Sequence, residues 1–140
     1  MVSFLSPFHL AIPVNNLQEA KVFYGTTLNC SQGRSSDTWV DYDFFGHQLV
    51  IHLDESVGKK SFNYVDGENV PIPHFGVVLQ WNEWRMLRKD LESKNIDFII
   101  QPYIRFEGQI GEQATMFFLD PSGNALEFKS FQNMSQLFAN

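Results

Sequence analysis

"SPFHLAIPV" at residues 6–14 and "PHFGVVLQW" at residues 73–81 are two versions of one pattern. Each is a short apolar run with a histidine at its start, His9 in the first and His74 in the second. Each reads as a strand that runs into a helix. After the first, Asn16 offers a cap, and Glu19 stands where a capping box places its acid. Leu17, Ala20, Phe23, Tyr24 and Leu28 then recur at helical spacing. After the second, Asn82 offers a cap, and Trp84, Leu87 and Leu91 share one helical face. Asn95 suits the left-handed residue that closes a helix.

Three strands follow each helix. In the first half they are Ser31 to Ser35, Trp39 to Phe44 and, beyond the turn at Gly46, Gln48 to Leu53. In the second half they are Ile96 to Ile100, Thr115 to Leu119 and, past the "DPSG" turn, Ala125 to Phe131. The order βαβββ therefore occurs twice, as a supersecondary repeat. The expected fold is α+β, one domain over residues 1–140. Its modules span about 6–54 and 73–131 and are joined by a polar linker, 55–72, that carries Gly58, Gly67 and Pro71. The tail after Phe131 is expected to be peripheral.

Composition narrows the partners. The chain has 140 residues, 44% of them hydrophobic and 14 of them Phe, enough for a sizeable core. A formal net charge of −6 argues against nucleic-acid or anionic-membrane binding, which need clustered Lys and Arg. No apolar run approaches the roughly 20 residues of a membrane span. No basic segment followed by a long apolar stretch marks a leader, and a cytoplasmic protein is expected. Cys30 is the single cysteine, so no disulfide forms within the chain.

Alternation sorts the later strands into faces. Gln48, Val50 and His52 share one face of their strand, opposite Leu49, Ile51 and Leu53. Ala125, Glu127 and Lys129 oppose Leu126 and Phe128. A His and a Glu thus stand on the less apolar faces of related strands. Taken singly, His9 reads as a packed core histidine, His52 as a cross-strand partner and Glu127 as a strand-end acid. His47, beside Gly46, reads as a solvated turn residue. Trp39, Tyr42, Phe44 and Phe45 read as sheet core, Asp41 and Asp43 as solvated or hydrogen-bonded acids, and Cys30 as a packing residue.

Paired βαβββ modules, a histidine near the start of each, and "FFLDPSGNALEF" at residues 117–128 together resemble the vicinal oxygen chelate superfamily. That superfamily includes glyoxalase I, type I extradiol dioxygenases, fosfomycin-resistance enzymes and bleomycin-resistance proteins. The resemblance spans about residues 6–131 and is greatest to small bacterial glyoxalase-like proteins catalogued as predicted dioxygenases. It implies a cupped mixed sheet with metal ligands on the first and last strands of each module. Carried over by position, these are His9, His52, His74 and Glu127, three of them drawn from only four histidines. Such donors suit Fe(II), Mn, Co, Ni or Zn.

Two His and one carboxylate with open positions resemble the facial site of non-haem iron oxygenases, whereas a fourth protein ligand resembles glyoxalase I. Glu127 and His52 are the implied acid–base pair, His52 either on the ion or behind it. Extradiol enzymes resemble one another in a Tyr and a His before the "DPSG"-type turn; Phe117 and residues 108–110 stand there in this chain. In glyoxalase I the strand of His52 carries an acid, whose base role passes here to Glu127.

The resemblance implies metal-dependent chemistry on a small vicinal-oxygen substrate, with a dioxygenase-like reaction favoured. A glyoxalase I-like lyase or isomerase, and a non-catalytic drug-binding protein of the bleomycin-resistance type, are the alternatives. The stretch 103–116, "YIRFEGQIGEQATM", is expected to be a lid or substrate-contact loop, with Tyr103, Arg105 and Gln113 as substrate contacts. Arg105 would meet a carboxylate bidentately. A homodimer is implied, and the linker length permits modules to pair within or between chains.

Overall fold

The structure, a computed structural model, describes residues 5–57, 62–65 and 68–140. The chain divides into two compact units, Met1–Lys59 and Lys60–Asn140. Among the described residues no helix is long and apolar enough to cross a membrane.

In the first unit, β1 (His9–Val14) leads into α1 (Leu17–Lys21), followed by β2 (Ser31–Ser35), β3 (Trp39–Phe44) and β4 (His47–Leu53). The sheet order is β1-β4-β3-β2, with β1 and β4 parallel and the other pairs antiparallel. Asn16 caps α1 as the sequence requires, its side-chain oxygen accepting from the Glu19 N–H at 3.0 Å. The helix then widens into a π-helical segment, Val22–Thr27. Leu17, Ala20, Phe23, Tyr24 and Leu28 are all buried, so the widening keeps the apolar stripe on the core. Against it lie Val40, Tyr42 and Phe44 of β3 and Leu49 and Ile51 of β4. Trp39, by contrast, is only half-buried.

The second unit repeats this order: β7 (His74–Phe75), α2 (Trp81–Ser93), β8 (Phe98–Arg105), β9 (Gln113–Leu119) and β10 (Ala125–Phe131). Its sheet runs β7-β10-β9-β8, again with only the first pair parallel. The α+β fold of two βαβββ modules is therefore present in both halves.

Several local expectations are corrected. The strand expected within the stretch 73–81 is a ladder of two residues, His74 and Phe75, with a further bridge between Val78 and Lys129. It breaks at Gly76, whose backbone presses on that of Glu127. The cap of α2 is Gln80, not Asn82, and it makes no side-chain capping bond. Packing decides this phase: Trp84 is buried and its Nε1–H donates to the Phe128 carbonyl at 2.8 Å. The strand placed at 96–100 begins at Phe98 and continues to Arg105. Asn95 takes the expected left-handed conformation, φ 57°.

The segment read as a linker carries an antiparallel pair, β5 (Phe62–Val65) and β6 (Glu68–Pro71). Residues 58–61, 66 and 67 of that segment, with Gly58 and Gly67, lie outside the described residues. So do residues 1–4, on which part of the leader reading rests.

The "DPSGN" turn is a hydrogen-bonded knot. Buried Asp120 accepts through Oδ1 from the backbone N–H of Ser122 at 2.9 Å and of Asn124 at 2.8 Å. Its Oδ2 accepts from the Asn124 side-chain amide at 2.9 Å. Gly123 supplies the left-handed residue, φ 87°. The knot fixes the β9–β10 register, and so sets Glu127 opposite Phe117.

Candidate functional site

In the second unit, two of the sequence-derived residues meet. The His74 Nε2 lies 3.0 Å from the Glu127 Oε2. Their outer atoms are already engaged. His74 Nδ1 is 2.7 Å from the Pro71 carbonyl oxygen, which can only accept, so Nδ1 carries the proton. Glu127 Oε1 accepts from the Thr115 hydroxyl at 2.7 Å. With Nδ1 so engaged, Nε2 is the nitrogen that faces the carboxylate, and the short approach is bridged either by a proton on Nε2 or by a cation held between the two groups.

The donor set fits a divalent ion. Two ligands bound at about 2.1 Å and at right angles stand about 3.0 Å apart, the separation found here. A carbonyl behind the imidazole and a hydroxyl behind the carboxylate are the outer contacts that orient metal ligands. Among the described residues, no group of three or more His, Cys, Asp and Glu side chains converges on one point.

His9 and His52 belong to the first unit. His9 Nδ1 is 2.8 Å from Gln48 Oε1, and the Gln48 amide N–H points to Asp41 Oδ2 at 3.5 Å. That direction makes His9 Nδ1 the donor and leaves its Nε2 open. His52 is placed differently from its expectation. On the parallel ladder His9 pairs with Gln48, Ala11 with Val50 and Pro13 with His52. In the second unit His74 pairs with Ala125, Gly76 abuts Glu127, and Val78 bridges Lys129. Val50 is thus the counterpart of Glu127, and His52 that of Lys129. His52 lies four residues along β4 from the partner of His9, about 13 Å away.

The remaining expectations divide. A cavity of about 760 Å³ opens on the second sheet, lined by Val70, His74, Ile99, Ile100, Gln101, Tyr103, Arg105, Thr115, Phe117 and Glu127. Tyr103 and Arg105 are among the lining residues. They lie on strand β8 and not on a lid; the loop is confined to 106–112. Gln113 pairs with Arg105 in register but is not part of the lining. Phe117 packs edge-on to the His74 ring, with centroids 5.0 Å apart. His47 is held in β4, its Nδ1 accepting from the Phe8 N–H at 2.9 Å. Asp43 accepts from the Gly46 N–H at 2.8 Å.

Burial pushes the Cys30 thiol up to about 12, with the Asp43 charge adding to it. Tyr42 is likewise raised, first by burial and then by Cys30. Both groups are neutral core residues. Thr115 and Gln48 are not singled out by sequence reading, although Gln48 shares the face of His52 and Thr115 stands two pairs along the ladder from Glu127.

Fold, register and the His74–Glu127 pair define a protein of the paired βαβββ class. The chain belongs to the Glyoxalase/Bleomycin resistance protein/Dioxygenase superfamily, whose model matches residues 6–128. Among solved structures, a glyoxalase/bleomycin resistance protein/dioxygenase from Alicyclobacillus acidocaldarius is 36% identical. That match covers 95% of this chain and 96% of the other, at a TM-score of 0.80. The fosfomycin resistance protein FosX from Listeria monocytogenes shares the fold at 18% identity, covering 98% and 100%, with a TM-score of 0.68. A glyoxalase/dioxygenase from Nostoc punctiforme does so at 16% identity, covering 95% and 99%, with a TM-score of 0.65. No curated protein matches the chain.

Proposed function

We propose that this protein is a metal-dependent enzyme whose substrate is a small molecule bearing two neighbouring oxygens. The observation that carries the reading is the 3.0 Å approach of His74 Nε2 to Glu127 Oε2, each side chain held from behind. A bound divalent ion there supplies Lewis-acid polarisation of the substrate oxygens.

The chain's own groups do the rest. Pro71 holds His74 in the tautomer that presents Nε2. Thr115 steadies Glu127, whose Oε2 is placed to hold an ion or to take a proton from the substrate. Phe117 and Ile100 give the cavity apolar walls that limit water. Within its own unit His9, with Nδ1 engaged by Gln48, stays a proposed metal ligand, and register sets His52 apart from it. Proton-transfer chemistry of the lyase or isomerase kind is favoured over ring cleavage. Phe117 places a ring with no hydroxyl beside His74, where a dioxygenase resembling the extradiol type presents a Tyr. We further propose that the chain is a homodimer.

The test is metal analysis of tag-free protein, with equilibrium dialysis against Fe, Mn, Co, Ni and Zn. About one ion per chain is expected, and His74→Ala or Glu127→Gln should each lower affinity at least tenfold. Metal-loaded protein offered hemithioacetals and catechols, with oxygen uptake recorded, separates isomerisation from oxidation. Protein that takes up none of these ions overturns the reading and favours a drug-binding role. Light scattering at micromolar concentration should give twice the 16.2 kDa chain mass.

A further inference from the structure

Beyond the metal pair, the same cavity carries a second recognition point. Arg105 and Glu127 are the charged side chains among the described residues that line it. With a divalent ion at His74 and Glu127 the cavity is net positive, inside a chain of net charge −6. A local reversal of sign in an acidic protein marks the kind of ligand it holds. The sheet register gives the geometry. Glu127 pairs with Phe117 on β9, while Arg105 pairs with Gln113 four residues further along the same strand. Two strand spacings across and four residues along put the two Cα atoms roughly 16 Å apart. Side chains of about 4 and 7 Å that lean toward each other along the sheet leave at least about 5 Å between carboxylate and guanidinium. Tyr103 stands between them, opposite Thr115. The Arg105 guanidinium lies over the Phe106 ring, 5.2 Å from its centroid, a face contact that limits how the fork can swing.

We propose that the substrate is a small anion with two ends, its vicinal oxygens at the His74–Glu127 pair and an oxyanion, carboxylate or phosphonate, at Arg105. This inference rests on the metal reading above. It adds that the two recognition points are separated by a chain of at least about four bonds. A guanidinium is suited to the far end, because its planar fork meets two oxygens at once where an ammonium meets them as a point charge.

Hydroxamates test it, since the group offers two adjacent oxygens to an ion. Calorimetry on the Zn²⁺-loaded full chain would compare acetohydroxamate, the monohydroxamates of malonic, succinic, glutaric and adipic acids, and the methyl ester of each. The acids should bind at least tenfold more tightly than their esters, with the largest gain in the succinic-to-adipic range. Arg105→Ala should abolish that gain and leave acetohydroxamate binding unchanged; Arg105→Gln, which keeps a polar side chain without the charge, should do the same. Substituting 3-phosphonopropanohydroxamate for the succinic compound distinguishes the oxyanions: whichever binds more tightly names the natural group.

Esters that bind as well as acids would overturn the inference while leaving the metal reading intact. So would an equal loss of acetohydroxamate binding in both Arg105 variants. Failure of acetohydroxamate to bind the wild-type, metal-incubated chain would instead remove the metal reading, and this inference with it.

Discussion

Gly76→Ala should damage both the fold and the candidate site, through one atom. A Cβ built at Gly76 overlaps the Glu127 carbonyl oxygen and meets its carbonyl carbon at 2.6 Å and its nitrogen at 3.3 Å. Ordinary contact begins at 3.4 Å, so β7 must retreat from β10 by at least about 0.8 Å for the carbon alone, and further for the oxygen. Two backbone bonds span that seam, Lys129 N–H to the Val77 carbonyl at 3.3 Å and Leu79 N–H to the Lys129 carbonyl at 2.8 Å. The retreat takes both past useful length. At about 1 kcal/mol each, with about 1–3 kcal/mol of overpacking strain, the variant should lose about 3–5 kcal/mol. For a chain of this size that lowers Tm by roughly 10–20 °C.

The same shift exceeds the roughly 0.5 Å tolerance of a metal constellation, so metal affinity should fall in whatever protein still folds. Calorimetric melting and amide exchange at residues 74–79 and 127–129 are the assays. Gly25→Ala is the opposite case. Its Cβ would lie 3.6 Å from the Tyr42 hydroxyl oxygen, in a helical segment without positive φ. That variant should gain about 0.4–1 kcal/mol. A Gly76→Ala protein melting within 2 °C of wild type, with unchanged exchange along the seam, would refute the argument.

Thr115→Val keeps the shape of the side chain and removes the donor to Glu127; metal affinity should fall about 10- to 100-fold and return in Thr115→Ser. The Cys30 thiol, pushed up to about 12 by burial and then by Asp43, should resist thiol reagents at pH 8.5 until the chain unfolds. Its raised folded value means that the stability it confers is complete below the unfolded value of 9.0 and is lost as pH rises toward 12. At pH 10 the loss should be at most about 1 kcal/mol, absent in Cys30→Ala, as read from denaturant melts across that range.

Long-range pattern was the legible part of this sequence. The repeated strand–helix–strands order, the Asn16 cap and the left-handed Asn95 all follow from local chemistry that tertiary packing did not overrule. The bounds of β2, β3 and β10 coincide with alternation or turn residues at their ends. Where packing decides, local signals failed. Asn82 is a better cap than Gln80 in isolation, but the Trp84 contact with Phe128 fixes the phase of α2. The β5–β6 pair had a local signal, the Asp66-Gly67 step in the sequence between Phe62–Val65 and Glu68–Pro71, which reading 55–72 as one polar linker passes over. Gly76 looks like any strand glycine until the backbone of Glu127 is laid against it.

The placement of His52 shows the deeper limit. Alternation has a period of two, so positions 50 and 52 satisfy a face assignment equally; only register chooses between them, and register is a property of two strands. Parallel pairing in each unit makes the choice. His9 and Gln48 occupy the positions held by His74 and Ala125, and Val50 occupies that of Glu127. The two modules therefore share a ladder but not a donor set. The second places an imidazole against a carboxylate on adjacent strands. The first sets its imidazole against an amide that itself leans on Asp41, and keeps an apolar, buried Val50 where the acid would stand. Each histidine has its Nδ1 occupied by an oxygen of its own unit, and in each the ring is turned so that Nε2 is the nitrogen left for chemistry. Both units therefore present an imidazole from the same register position, but only the second sets a carboxylate against it; that difference lies in how two strands are paired, where no single-strand pattern can show it.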